Sequence, residues 1–212
     1  MILYDYFRSS AAYRVRIALN LKGLATERRF VHLRRGEQRA PGYLDMNPQG
    51  LVPMLAIGHR RLTQSLAIVE YLDEKHPNPP LLPPGPEDRA WVRAVALAIA
   101  CDIHPLNNLR VLQYLGKALE IPEPTRDEWY RHWVIEGFDA LEKQLVERQS
   151  GPFCFGDEPT LADICLVPQV ANARRLKTPL DAYPRIRAID EACLARPEFD
   201  RARPEMNPDA EK

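Results

Sequence analysis

The sequence predicts a molecule of two parts, a small α/β domain followed by an all-helical one, on three observations. Residues up to 76 alternate strand-like runs with helical periodicities, residues from 87 onward show helical periodicity alone, and a proline-rich stretch separates the two. That stretch, His76-Pro-Asn-Pro-Pro-Leu-Leu-Pro-Pro-Gly-Pro86, fixes φ at each proline and removes amide donors, so neither a helix nor a central strand continues through it. The expected organisation is an α/β domain over residues 1–76, a linker over 77–86, a helical domain over 87–198 and a polar tail over 199–212.

Taken in order, Ile2 to Tyr6 reads as a strand, and Ala11 to Lys22 places Val15, Ala18 and Leu19 at helical spacing before Gly23 stops the helix. A second strand is expected near Arg28 to Leu33, and a short helical piece around Gly42 to Asp45. Val52-Pro-Met-Leu-Ala-Ile57 and Arg60-Arg-Leu-Thr63 flank Gly58-His59 as a hairpin. Ser65 to Lys75 then puts Ile68, Val69 and Leu72 on one helical face, completing the order βαβαββα. Beyond the linker, Glu87 to Leu119 is helical with an interruption at Pro105, and Asp127 to Arg148 repeats Trp129, Trp133, Gly137, Leu141 and Leu145 as one stripe. Thr160-Leu-Ala-Asp163 has capping-box spacing and starts a helix that turns Leu161, Ile164 and Cys165 inward, with Pro168 expected to kink or shorten it. Past Glu198 the polar, proline-broken tail is expected to fray.

Composition narrows the function. With 212 residues and 45% hydrophobic content the chain fills real cores. Lys+Arg and Asp+Glu number 29 each, so no general field favours nucleic acid or an anionic membrane, and selectivity for charge must be local. Met1 runs straight into Ile2-Leu3-Tyr4 without a basic and apolar leader, and no apolar run is long enough to span a bilayer, so a cytoplasmic protein is expected. Cys101, Cys154, Cys165 and Cys193 are scattered, as buried small apolar residues of a reducing compartment would be. His32, His59, His76, His104 and His132 form no ligand spacing, and no metal site is expected.

Several motifs go further. Tyr6-Phe-Arg-Ser-Ser-Ala-Ala-Tyr-Arg-Val-Arg-Ile-Ala-Leu19, Asn47-Pro-Gln-Gly-Leu-Val-Pro53, Gln64-Ser-Leu-Ala-Ile-Val-Glu-Tyr-Leu72, Asp102-Ile-His-Pro-Leu-Asn-Asn108 and Gly156-Asp-Glu-Pro-Thr-Leu-Ala-Asp163 resemble, in order and over nearly the whole chain, the zeta class of glutathione transferases. The resemblance implies the glutathione-transferase fold, with a thioredoxin-like N-terminal domain and a helical C-terminal domain, usually paired as a homodimer. It also implies glutathione as cofactor and cis-trans isomerisation of a maleyl-type diketo dicarboxylate, maleylacetoacetate first and maleylpyruvate second. Transfer or dehalogenation of α-halo acids, and a non-catalytic glutathione-binding module, stand as alternatives.

Residue roles follow from the same resemblance, each beside a plainer reading. A free thiol has a pKa near ~8.5, so a downward shift of ~2 units asks for roughly 2.7 kcal/mol of preferential anion stabilisation. A helix terminus contributes ~0.3–1 kcal/mol when exposed and about 2 when partly buried, and a charge-assisted hydrogen bond adds roughly 1.5–3. Ser9 and Ser10, at the expected strand-to-helix turn, combine the two; on residues alone either is simply an N-cap. Ala11 stands where many class members carry cysteine, so the protein has no nucleophile of its own there. Val52-Pro53 resembles the cis-proline turn whose backbone pairs with the cysteinyl unit of glutathione, against an ordinary trans-proline loop. Gln64 and Ser65 begin the next helix and suit the γ-glutamyl carboxylate, against a simple cap at Ser65. Gln49, His104 and Asn108 are further glutathione candidates, with a structural histidine as the plain alternative for His104. Arg8, Arg110 and Arg175 are candidates for the substrate carboxylates, although Arg174 adjoins Arg175 and Arg110 points away from Asn108 in an ideal helix.

Overall fold

The computed structural model describes residues 1–149 and 151–211; Ser150 in the expected helical domain and Lys212 in the expected tail lie outside the described residues. Two compact units emerge, one of Met1–Leu81 together with the chain from Leu194 onward, the other Leu82–Cys193. The first unit contains β1 (Ile2–Asp5), α1 (Ser10–Leu21), β2 (Glu27–Phe30), α2 (Pro41–Leu44), β3 (Met54–Ile57), β4 (Arg60–Thr63) and α3 (Ser65–Lys75). The βαβαββα order is the one the sequence predicts.

The sheet runs β2-β1-β3-β4, with β1 parallel to β2 and antiparallel to β3. Its pairing sets Leu3 opposite Leu55 and Tyr4 opposite Met54, while β3 and β4 form the expected hairpin with Ile57 opposite Arg60. Because side chains alternate along a strand, β1 gives Leu3 to one face and Tyr4 to the other. The Tyr4 face belongs to a cluster with Tyr6, Tyr43, Val52 and Met54. The second strand is shorter than expected, since beyond Val31 the chain turns at His32, whose carbonyl accepts the Arg35 N–H. α1 ends as predicted, with Gly23 in the left-handed region at φ 64°.

The second unit is helical: α4 (Pro86–Leu97), a π-helical segment (Ala98–Ile103), α5 (Leu109–Lys117), α6 (Glu123–Arg148), α7 (Leu161–Arg175) and α8 (Pro184–Leu194). The expected interruption at Pro105 takes a specific form. The His104 N–H donates to the Ile99 carbonyl, and α5 starts afresh at Asn108. α6 buries Tyr130, Val134, Phe138, Leu141 and Leu145; of the expected stripe Leu141 and Leu145 are buried, while Trp129, Trp133 and Gly137 are half-buried. α7 runs through Pro168 to Arg175, so the proline does not shorten it. Its capping box is complete, and Asp163, fully buried, also accepts the Cys154 N–H at 2.8 Å.

The chain past Glu198 does not fray. α9 (Pro197–Asp200) packs on α1 with Phe199 fully buried, and Ala202 and Asn207 are buried behind it. Three bonds fix its course: Asn20 Nδ2 donates to the Glu198 carbonyl (2.8 Å), Arg16 Nε to the Ala202 carbonyl (3.0 Å), and the Phe7 N–H to Asp209 Oδ2 (2.9 Å). Of the cysteines, Cys154, Cys165 and Cys193 are buried as expected, whereas Cys101 is exposed.

Candidate active site

The serine turn is held from beneath by a buried ion network. Asp5, fully buried at the end of β1, accepts from Arg16 Nη1 at 2.8 Å and pairs with Arg28. Arg16 also donates to the Tyr6 carbonyl at 3.5 Å and the Phe7 carbonyl at 3.1 Å, bracing the main chain immediately before Arg8 and Ser9. Burial pulls Arg16 below the usual guanidinium range, and the Asp5 carboxylate opposes that fall. Nothing in a local pattern marks Arg16 or Asp5 for this role, since an arginine inside a helix ordinarily faces solvent.

On this base Ser9 is the N-cap of α1, its Oγ accepting the Ala12 N–H at 3.1 Å. A hydroxyl has one proton to donate, and with an Oγ lone pair fixed by Ala12 that proton stays available to an anion at the helix terminus. Ser9 is half-buried, while Ser10, the first residue of the helix, is 6% exposed. The cap and thiol readings of the turn are therefore compatible in one residue. Ser9 is the hydroxyl that reaches the surface.

Three further candidates of the first unit meet at the start of α3. Gln64 is its N-cap at φ 68°, ψ 117°, a conformation costly for a residue with a Cβ, and it makes no side-chain cap bond. Its Nε2 instead donates to Gln49 Oε1 at 3.2 Å, joining the two glutamines. Ser65 is thus not the cap; it is buried, and its Oγ accepts from Arg14 Nη1 at 3.2 Å. The first-turn amides of α3 consequently have no side-chain acceptor at the cap, which leaves a positive terminus suited to a carboxylate. Nearby, the Val52–Pro53 peptide is cis. The Leu51 carbonyl before it accepts from Tyr43 Oη (2.6 Å) and Asn47 Nδ2 (2.8 Å). Among the described residues the Val52 main chain takes part in no loop or turn hydrogen bond and lies outside the β3 ladder, as a peptide-pairing position requires. Desolvation raises the Tyr43 phenol to about 12, keeping it a neutral donor.

Arg8 is exposed, stacked on the Phe7 ring at 5.0 Å. In the helical unit His104 Nε2 and Asn108 Nδ2 lie 3.5 Å apart, neighbours across the 104–108 turn rather than along one helix. Asn108 caps α5, its Oδ1 accepting the Arg110 N–H at 3.1 Å, so Arg110 meets Asn108 through its main chain while its side chain is exposed. The neighbouring arginines of α7 separate cleanly. Arg174 Nη1 lies 2.5 Å from Asp190 Oδ2 on α8, whereas Arg175 sits over the Tyr130 ring of α6 at 5.9 Å.

Comparison with known proteins bears on this arrangement. Residues 1–74 match the family model for the glutathione S-transferase N-terminal domain, and residues 124–189 that for its C-terminal domain. A probable maleylacetoacetate isomerase of Vibrio cholerae is 50% identical over 212 residues, covering 99% of this chain and 98% of its own. A holo structure of maleyl pyruvate isomerase, described as a bacterial zeta-class glutathione-S-transferase, superposes with TM-score 0.98 at 47% identity over 100% of both chains. Maleylacetoacetate isomerase from Anaeromyxobacter dehalogenans, with dicarboxyethyl glutathione and citrate bound in its active site, gives TM-score 0.88 at 42% identity over 99% of this chain and 93% of its own.

Proposed function

Because the chain belongs to the zeta class of the glutathione S-transferase family, we propose that it is a glutathione-dependent cis-trans isomerase of a maleyl-type diketo dicarboxylate, with maleylacetoacetate the first substrate and maleylpyruvate the second. The observation that carries the reading is the Ser9 hydroxyl, half-buried at the α1 terminus, with its oxygen fixed by Ala12 and its proton available. Bound glutathione supplies the thiolate that adds to the cis double bond and leaves again after rotation about the resulting single bond. The dicarboxyethyl glutathione found in the Anaeromyxobacter relative is chemically what addition of this thiol to a butenedioate yields.

The chain's own residues supply position and charge. The residues fit glutathione on three counts: the uncapped α3 terminus beside Gln64, Gln49 and Ser65 suits a carboxylate, Val52 offers its main chain to a peptide, and Ser9 offers a donor to sulfur. Ser9 O–H and the first amides of α1 stabilise the anion together, and Ser10 lends the helix terminus rather than its hydroxyl. Arg8, Arg110 and Arg175 are assigned to the substrate carboxylates, and His104 and Asn108 to glutathione. Ala11 leaves the cofactor as the only thiol of the turn. No helix among the described residues is long and apolar enough to cross a membrane. A cytoplasmic homodimer belongs to the same proposal; the four free cysteines suit a reducing compartment.

The test follows loss of the cis substrate's ultraviolet absorbance with and without glutathione. Loss at an equal rate without the cofactor would sink the reading. Ser9→Ala should lower kcat/KM by roughly 10–100-fold, the worth of a charge-assisted hydrogen bond. It should also raise the pKa of enzyme-bound glutathione, read from thiolate absorbance.

A further inference from the structure

The docked tail brings a carboxylate onto an arginine assigned to the substrate. Glu211 Oε2 lies 3.6 Å from Arg8 Nη2 and 3.8 Å from Arg34 Nη1, and its Oε1 lies 2.8 Å from His32 Nε2. The imidazole is oriented for this contact. His32 Nδ1 accepts the Arg35 N–H at 3.2 Å, so the ring's donor is Nε2–H, aimed at the carboxylate. Beneath them Tyr6, 3% exposed and edge-on to the His32 ring at 5.1 Å, has a hydroxyl with no hydrogen-bond partner among the described residues. Burial raises the Tyr6 phenol, and the Glu211 carboxylate raises it further against the opposing charges of Arg8 and Arg34. Two guanidinium groups and an imidazole N–H make a set suited to a carboxylate.

The occupant is delivered by a fixed strut. Asn207 is buried and accepts from Arg28 Nη2 at 2.5 Å, Asp209 holds the Phe7 N–H, and Ala210 packs on the Tyr4–Tyr6–Phe7 cluster. Among the described residues Glu211 is tied through its side chain, and both that side chain and that of Arg8 are 39% exposed. Exposed ion pairs are weak, so this carboxylate is displaceable while the strut beneath it stays docked.

We propose that Arg8, His32 and Arg34 form a carboxylate seat, resting on the assignment of Arg8 to the substrate, and that Glu211 fills it as an internal competitor for one carboxylate of the dianionic substrate. Glu211→Gln removes the negative charge of the competing occupant without altering its shape. Malonate, an unreactive dicarboxylate, is the probe, titrated by calorimetry into the full chain saturated with glutathione. Affinity should rise roughly fivefold in Glu211→Gln, the effect of one unit charge a few ångströms away in a water-like dielectric. KM for the cis substrate should fall in parallel and KM for glutathione stay fixed. Arg34→Gln should weaken malonate more in the Glu211→Gln background than in the parent, because only there is the seat free of a competing charge.

Unchanged or weaker malonate binding in Glu211→Gln would overturn the seat, as would a shift confined to the glutathione KM. Failure of the parent reading looks different. Malonate binding does not depend on turnover, so an inactive protein that still shows the Glu211→Gln gain keeps the seat and loses the isomerase. Arg8→Ala that leaves malonate affinity unchanged removes Arg8 from both.

Discussion

At the scale of single residues, two adjacent arginines of α7 have different work. Arg174 balances Asp190, which is fully buried, while Arg175 reaches across to the Tyr130 ring. Removing Arg174 leaves a buried carboxylate without its cation, and because the arginine side chain is itself 44% exposed the loss should be about 1–3 kcal/mol rather than the full cost of a sealed pair. Arg175→Ala should do the reverse, leaving the urea midpoint within the range of a surface substitution and raising KM for the dicarboxylate. Urea titration and initial rates on both variants check the pair. The two positions are indistinguishable in the run Val170-Ala-Asn-Ala-Arg-Arg175, since adjacent helical residues differ by a rotation that only the packing of α6 and α8 converts into a role. Ser9 is the converse case. The strand-to-helix turn is legible from the sequence, whereas which of its two serines reaches the surface is set by packing.

At the scale of elements, the helical unit shows how one missing side chain sets the course of a segment. A Cβ built at Gly137 on α6 would fall inside the Ile103 side chain, the last residue of the π-helical segment and the one before His104. Ile103 is 2% exposed and has little room to withdraw. Alanine is the better helix former by about 1 kcal/mol, so propensity alone predicts that Gly137→Ala stabilises α6. Overpacking should win, destabilising the unit by about 1–3 kcal/mol, and adding Ile103→Ala should restore much of the loss. Thermal melts of the two single variants and the double variant decide it; additive losses would refute the contact. The periodicity of α6 is legible in the sequence, yet the glycine's place on its stripe is not explained by period. Its reason lies in a π-helical segment about 34 residues earlier, which ends where Pro105 has no amide proton to continue the ladder. Likewise the capping box of α7 can be read from Thr160 and Asp163, whereas the third donor, the Cys154 N–H, depends on a loop that carries no helical signal.

At the scale of the whole molecule, the tail escapes a reading of local pattern because its partners are remote in sequence. Phe7 meets Asp209 and Arg16 meets Ala202, pairings that no local window contains. The buried acids also set how stability responds to pH. Burial lifts Asp190 from its ordinary 3.8 to about 6, since Arg174, though close, makes up only part of the lost hydration. Burial raises Asp163 as well, against the opposing pull of its Cys154 and Thr160 donors. A carboxyl whose pKa is raised on folding binds its proton more tightly in the native state than in the unfolded one. Its contribution is therefore favourable at low pH, declines as pH rises through the window from 3.8 to about 6, and is fully lost above it. For a shift of about 2 units the swing is roughly 3 kcal/mol. Asp190→Asn has no proton to exchange, so its unfolding free energy should decline less between pH 4 and pH 7 than that of the parent. Urea titrations at intervals of one pH unit read the difference directly. Parallel pH profiles would mean that Asp190 is as well compensated when folded as when unfolded, the Arg174 pair balancing its burial.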